Sequence, residues 1–228
     1  MTVITYAAPH RKTQDLLLRM KALGREGLTV AALPWRERPG AFKPLIPHRP
    51  QEALPVHPGD LARRLGYAFV ETTEDELASV VAGGMAWIGG AGLLPPSAVR
   101  AGTIFNAHPA YLPGIRGLDA LKWAVLERRP IGVTTHVIAE EPDAGVLVRR
   151  ELVELFAWDD FHSIARRQYE KEIELLARAD EDYAALEQKT ILPAEGPVRR
   201  RMPHALELRL QAAVAAYLDE YFARREFV

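Results

Sequence analysis

The feature that most constrains the fold lies at the start of the chain, where two short apolar runs flank a helical stretch. Val3 to Ala7 is β-branched and aromatic, is closed by Pro9, and reads as a strand. Gln14 to Leu23 places Leu16, Leu17, Met20 and Leu23 at helical spacing, and Gly24 and Gly27 end it. Leu28 to Leu33 is a second apolar run. A strand, a helix and a strand in close order read as a βαβ unit, because neighbouring parallel strands need a crossover. The expectation is an α/β fold with a mostly parallel sheet.

The rest of the chain extends this pattern. Prolines at 34, 39, 44, 47, 50, 55 and 58 forbid long regular structure between Pro34 and Pro58. A loop of that length in a compact domain is usually functional or mobile. Asp60–Leu65 and Glu74–Val81 read as helices, the second capped by Thr72 or Thr73. Strands are expected at Met85–Ile88, Thr103–Asn106, Val133–Ile138 and Val146–Val153, and short helical stretches at Pro95–Val99 and Leu118–Glu127, the latter with Leu118, Leu121, Ala124 and Val125 on one face. Phe161–Ala179 is a long helix, and residues 180–189 continue it or start another. Pro193–Pro203 reads as a linker carrying Arg199, Arg200 and Arg201, and Ala205–Phe222 as a closing amphipathic helix. This divides the chain into a catalytic domain, 1–153, and a C-terminal helical extension, 154–228, packed on it. Tyr217, Leu218 and Tyr221 lie close on one helix face, which predicts self-association as a homodimer.

Composition narrows the function. Hydrophobic residues make up 48% and charged residues 26%, and the net charge is -1, so the basic excess of a nucleic-acid binder is missing. No cysteine is present, which excludes disulfides and thiolate chemistry. The N-terminus has no basic start before a long apolar run, and Val80–Leu94, the least polar stretch, is short and holds five glycines. The expectations are a cytoplasmic protein with no membrane or nucleic-acid partner and no metal.

Ligands of open parallel sheets bind beyond the carboxyl ends of the strands, which directs attention to the loops after Ile88, Asn106 and Ile138. Asn106 and His108 are two apart at the end of an apolar run, so in extended backbone they share a face. Asp143, between Pro142 and Gly145, follows another strand and can meet His108 if the two strands are neighbours. An amide, an imidazole and a carboxylate suit acyl transfer to an amine. The amide donates to the carbonyl oxygen as it gains charge, for about 3 kcal/mol. The imidazole or carboxylate accepts the proton the amine loses, and a carboxylate beside an imidazole fixes its tautomer. Spacing alone leaves structural roles for these residues open.

The segment Asn106-Ala-His-Pro-Ala-Tyr-Leu-Pro-Gly-Ile-Arg-Gly117 resembles the Asn-x-His-Pro-x-x-Leu-Pro-x-x-x-Gly signature of folate-dependent formyltransferases. Gly132-Val-Thr-Thr-His-Val-Ile-Ala-Glu-Glu-Pro-Asp-Ala-Gly145 is similar to that family's second signature, a Gly-Val-Thr-x-His strand running into an acidic Asp-x-Gly loop. The family includes glycinamide ribonucleotide transformylase, methionyl-tRNA formyltransferase and the nucleotide-sugar N-formyltransferases. The likeness is sharp over residues 85–150, looser before them, and not visible beyond about residue 180. It implies a Rossmann-like formyltransferase fold, N10-formyltetrahydrofolate as formyl-donating co-substrate, and Asn106, His108 and Asp143 as the catalytic trio. It places the pterin against Ala91, Gly92, Leu93 and Leu94 and against Ala139, Glu140 and Glu141, where Gly89, Gly90 and Gly92 let a flat ring approach the main chain. It also implies that His136 lines the cleft, and it puts Arg116 in position to contact acceptor phosphates.

The partner is expected to be a small-molecule amine. Ala7-Ala8-Pro9-His10-Arg11-Lys12-Thr13 stands where ribonucleotide transformylases carry a Gly- and Ser-rich phosphate loop, though His10, Arg11 and Lys12 can bind phosphate as point charges. The expected tail is too short and too helical for the barrel of the methionyl-tRNA enzymes, and the regulatory domain of the formyltetrahydrofolate hydrolases is not seen. An amino sugar on a nucleoside diphosphate is the leading acceptor, with the basic, proline-rich Lys43–His57, including His48 and Arg49, available to grip the diphosphate. A ribonucleotide or other small amine, and a folate-binding homologue without catalysis, stay open.

Overall fold

The computed structural model describes residues 1–35, 42–50, 52–194 and 196–224. The elements in chain order are β1 (Thr2–Tyr6), α1 (Arg11–Ala22), β2 (Thr29–Leu33), α2 (Pro58–Leu65), β3 (Ala68–Glu71), α3 (Leu77–Val81), β4 (Met85–Ile88), α4 (Pro96–Ala101), β5 (Thr103–His108) and β6 (Arg116–Gly117). They continue with α5 (Ala120–Leu126), β7 (Gly132–Ile138), β8 (Gly145–Leu152), α6 (Phe161–Ala177), α7 (Ala179–Ala184), β9 (Thr190–Leu192), β10 (Val198–Arg199), α8 (His204–Glu207) and α9 (Leu210–Ala223). Pro39 and its neighbours lie outside the described residues, and 42–50 and 52–57 hold no helix or strand.

One eight-stranded sheet runs β3-β2-β1-β4-β5-β7-β8-β9. The first five strands are mutually parallel, and β7, β8 and β9 join antiparallel. The fold is therefore mixed α/β with a mostly parallel sheet, as the opening βαβ pattern predicts. β1 lies between β2 and β4, so strand order reverses beside β1, the place where such sheets open a ligand crevice.

Strand alternation feeds two cores. Val3, Phe105 and Ala107 face one side and pack with Leu16, Leu17 and Met20 of α1 and Tyr169, Ile173 and Leu176 of α6. Ile4 and Ile104 face the other side, with Leu77, Val81 and Ala98 of α3 and α4. A third cluster joins α5, α6 and α9 through Leu121, Val125, Ile164, Leu210 and Val214. Four expectations are corrected. The C-terminal part is not all helix, because β9 adds an edge strand. Residues 193–203 are not a free linker, because β10 pairs with β6. Leu118 is 51% exposed and leaves the apolar face of α5, whose helix begins after it. Tyr217 and Leu218 are buried within this chain, and Tyr217 Oη donates to the Arg129 carbonyl at 3.0 Å, so the face read as a self-association surface is already covered.

The third cluster contains a fully buried charge network. Lys122 and Glu207, both 0% exposed, form an ion pair, and Lys122 Nζ is 3.7 Å from Asp119. Glu207 also accepts from the Leu45 amide at 2.8 Å, and Asp119 from the Met202 amide at 2.9 Å and Arg201 at 2.7 Å. Burial alone would raise the Asp119 carboxyl, but the Met202 amide, Arg201 and Lys122 together hold it below its usual range. The network ties the proline-rich segment and the C-terminal helices to α5. Glu207→Ala removes the nearer of the two carboxylates on the buried Lys122 and the acceptor of the Leu45 amide, and we expect a loss of about 3–5 kcal/mol in urea unfolding. The double variant Lys122→Met/Glu207→Leu should recover most of it.

Candidate functional site

The three singled-out side chains come together at the end of β5. Asn106 and His108 share a face with Ile104, and β7 lies alongside in a register that sets Asn106 opposite His136 and His108 opposite Thr134. The turn that follows β7 returns Asp143 to this edge. His108 Nδ1 and Asp143 Oδ1 are 3.1 Å apart, and Asp143 Oδ2 accepts from the Gly117 amide at 2.6 Å. Asp143 sits at φ 54, in the left-handed region that aspartate tolerates better than most residues. His108 Nε2 is 3.1 Å from the Ile115 carbonyl. Both ring nitrogens thus face oxygen acceptors, an arrangement that only the doubly protonated ring satisfies in full. Burial pushes the His108 pKa below its ordinary value, opposed by Asp143 and by the Ile115 carbonyl.

His136 lies behind Asn106. It is 1% exposed, its Nδ1 is 2.9 Å from the Ala144 carbonyl, and its Nε2 is 3.4 Å from Asn106 Nδ2. The carbonyl requires a proton on Nδ1, which leaves Nε2 to accept from the amide and orient it. Burial, and then His108, lower its pKa to about 4. A register shift between Thr135 and His136, a bulge in the β7–β8 pairing, lies at this position.

Two residues that sequence reasoning missed hold the Pro109–Gly117 loop. Thr134 Oγ1 donates to the Ala110 carbonyl at 2.8 Å and accepts from the Leu112 amide at 3.0 Å. Gln168 Nε2 of α6 donates to the Pro109 and Gly132 carbonyls at 2.9 Å each. Gln168 and Glu172 are polar positions one turn apart on the buried stripe of α6, a signal visible in the sequence once the stripe is drawn.

Residues of the loop after β4 pack beside the end of β7. Ile88, Ala91, Leu94 and Ile138 pack half-buried over the core shared with Ile4 and Ile104. They make a half-buried apolar surface at the carboxyl edge of the sheet. Gly90 is required there, since a Cβ would collide with the His10 ring, and a Cβ on Gly92 would stand 2.9 Å from Tyr6 Oη. Leu93 is 83% exposed and turned away, Glu141 is exposed, and Glu140 pairs with Arg100 of α4.

The basic residues of the first loop separate. Arg11 turns to Asp15 at 2.7 Å, while Lys12 is buried and pairs with Glu172 at 2.8 Å. Arg49, from the proline-rich segment, reaches the same carboxylate at 2.8 Å. Burial alone would raise Glu172, but Arg49 and Lys12 hold it low. Burial, then Lys12 and Arg49, lower His10 to about 4. Arg49 and Glu172 also act electrostatically on His108, so this cluster stands beside the trio. Arg116, expected against phosphates, is 3% exposed and donates through Nε to the Pro142 carbonyl at 3.2 Å. Among the described residues, no acidic, histidine or cysteine group is arranged to hold a metal, and no helix is long and apolar enough to cross a membrane.

A model of the formyl transferase family matches residues 50–179. The chain is 40% identical over 73 residues to the trifunctional purine biosynthetic protein adenosine-3 of Gallus gallus, which covers 31% of this chain and 7% of that protein. It spans less than half the length of the curated relatives it matches. A sugar N-formyltransferase from Shewanella sp FDAARGOS_354 has a similar structure, with a TM-score of 0.55 at 18% identity over 87% of this chain and 75% of that one. So has glycinamide ribonucleotide transformylase 1 from Symbiobacterium toebii, with a TM-score of 0.58 at 18% identity over 84% of this chain and 92% of that one. At these identities the two structures speak for the fold.

The depressed histidines set a pH dependence of stability. Unfolded histidine takes its proton near pH 6.5, whereas folded His136 and His10 do so only near 4. Between those values the unfolded chain binds more protons, so stability falls as pH drops from about 6.5 to about 4 and does not respond to these groups above about 7. Urea unfolding across that range should show the decline, and a flat profile would exclude buried neutral histidines.

Proposed function

The chain belongs to the formyl transferase family, and on that premise we propose that it moves a formyl group from N10-formyltetrahydrofolate to a primary amine on an anionic small molecule. An amino sugar on a nucleoside diphosphate is the leading acceptor. One observation carries the reading: His108 and Asp143, distant in sequence, meet at 3.1 Å on the same edge as the amide of Asn106.

The donor supplies a formyl carbon already activated by its folate nitrogen. The chain's own groups do the rest. The Asn106 amide has two N–H bonds. One points at His136 Nε2, and the other is available to the formyl oxygen as that oxygen gains charge. The His108–Asp143 pair takes the proton that the amine loses as it bonds the formyl carbon, and returns it to the folate nitrogen as the carbon's bond to that nitrogen breaks. The resulting imidazolium lies between the Asp143 carboxylate and the Ile115 carbonyl, so charge develops where two oxygens already face it. No serine or thiol nucleophile is called for, since the amine is the nucleophile.

The acceptor side has a sign. Lys12 and Arg49 both stand on the Glu172 carboxylate, which places two cations beside the trio. Cations there attract an anionic group and disfavour an acceptor ammonium, which favours a neutral attacking amine. This supports a phosphorylated acceptor, and a ribonucleotide amine would satisfy it through the same anion.

The test is formyl transfer from the folate donor to a panel of amino sugars on nucleoside diphosphates, ribonucleotide amines and neutral amines, read by product mass. Transfer to phosphorylated amines is expected; donor hydrolysis without amine, or donor binding without turnover, would refute the proposal. Asp143→Ala should lower kcat at least about a hundredfold in a folded protein. Arg49→Ala should act mainly on KM for the anionic acceptor. Because His108 lies below its ordinary pKa, the acid limb of kcat should fall below about pH 6.5 rather than at it.

A further inference from the structure

The segment after β9 reaches the site through a relay at β6. β10 lies parallel to β6, with Val198 beside Arg116 and Arg199 beside Gly117, and the Leu118 amide donates to the Arg199 carbonyl at 2.8 Å. The approach is close because residue 117 is glycine. It sits at φ +93, and a Cβ there would stand 2.6 Å from the Arg199 nitrogen.

From β6 the contacts turn inward. The guanidinium of Arg116 donates to the Pro142 carbonyl through Nε at 3.2 Å and to the Gly196 carbonyl through Nη1 at 3.4 Å. The Gly117 amide then donates to Asp143 Oδ2. One two-residue strand therefore holds the tail, the carbonyl just before Asp143, and the Asp143 carboxylate. Arginine suits this because its planar fork can hold acceptors from separate segments at once. Asp143 needs such holding. Its backbone is in the left-handed region, which its surroundings must hold. Its two oxygens are divided between His108 and Gly117, and the second bond fixes the rotation of the carboxylate.

We propose that Arg116 is a positioning residue and that residues 196–199 form a brace, so that the C-terminal segment sets the Asp143 carboxylate against His108. The inference rests on the reading of His108 and Asp143 as the proton-accepting pair. Releasing the relay lets Asp143 move from His108, whose readiness to hold a proton then falls, since Asp143 is the main group opposing the effect of burial.

The experiment compares the full chain with Arg116→Ala, Arg116→Lys and Gly117→Ala. The His108 ring is titrated by NMR, its signal assigned by its loss in His108→Asn, and kcat and KM are measured with the best acceptor of the panel. Arg116→Ala should lower kcat about tenfold to a hundredfold with KM within about twofold, since small misplacements near reacting groups cost on that scale. It should also move the His108 titration to lower pH, and Arg116→Lys should restore part of both. Gly117→Ala, which cannot keep φ +93 and the close approach of β10 to the residue whose amide holds Asp143, should shift the titration in the same direction. A lowered melting temperature with an unchanged His108 titration and unchanged kcat per folded molecule would overturn the positioning role. An unchanged titration in Gly117→Ala alone would overturn the brace. If Arg116→Ala does not fold, Arg116→Lys decides on the same titration. Should the parent protein transfer formyl to nothing, the proposed function fails, and the titration still decides whether the tail controls the pair.

Discussion

The buried contact between the His108 ring and the Asp143 carboxylate is the interaction around which the carboxyl edge of the sheet is arranged. Neither group is at ease there. The imidazole is almost fully buried, which disfavours its charge, and Asp143 occupies a left-handed backbone position. Their neighbours compensate. The Gly117 amide holds one carboxylate oxygen, the Ile115 carbonyl faces the far ring nitrogen, and Arg116 clasps the loop that carries Asp143. A pair so enclosed can take a proton with little rearrangement, because acceptors for the charged ring are already in place.

Around that contact, the sheet divides labour between its two halves. The parallel strands supply the crevice beside β1 and β4, where half-buried apolar residues offer a floor for a flat ring. The antiparallel strands β7 and β8 bring in His136, Thr134 and the Asp143 loop. On the other side, α6 projects Gln168 under the signature loop and Glu172 toward two cations. The long helix that packs the core thus also sets the loop's height and the site's charge. Likeness to both a sugar N-formyltransferase and a ribonucleotide transformylase fits this design: the fold is shared, and a shared fold leaves acceptor choice to side chains.

Much of this was legible beforehand, and the exceptions have physical causes. The strands β1, β2, β4, β5, β7 and β8 carry β-branched runs and were readable within a residue or two. β3 and β9 were not, since short, mostly exposed edge strands lack an apolar pattern. His136 was visible as a residue, but its task depends on a cross-strand register that no local spacing states. Arg116, a loop arginine within a signature, suggests a phosphate ligand; that it is buried and donates to the Pro142 and Gly196 carbonyls is visible only in the packed chain. The cluster at 199–201 read as a linker because nothing local shows that β10 will dock on β6.

By itself the sequence determined the α/β class, the loops where chemistry belongs, and the identity of an amide, an imidazole and a carboxylate at one edge. These follow from periodicity, from proline and glycine punctuation, and from two signature segments, all properties of neighbouring residues. The tertiary structure decided which charges meet. It placed Arg49 and Lys12 on Glu172, Arg116 on the Asp143 loop, and Lys122 on Glu207, pairs separated by tens of residues or more. Such pairings depend on which faces are buried together, and burial is a property of the packed chain rather than of any segment of it.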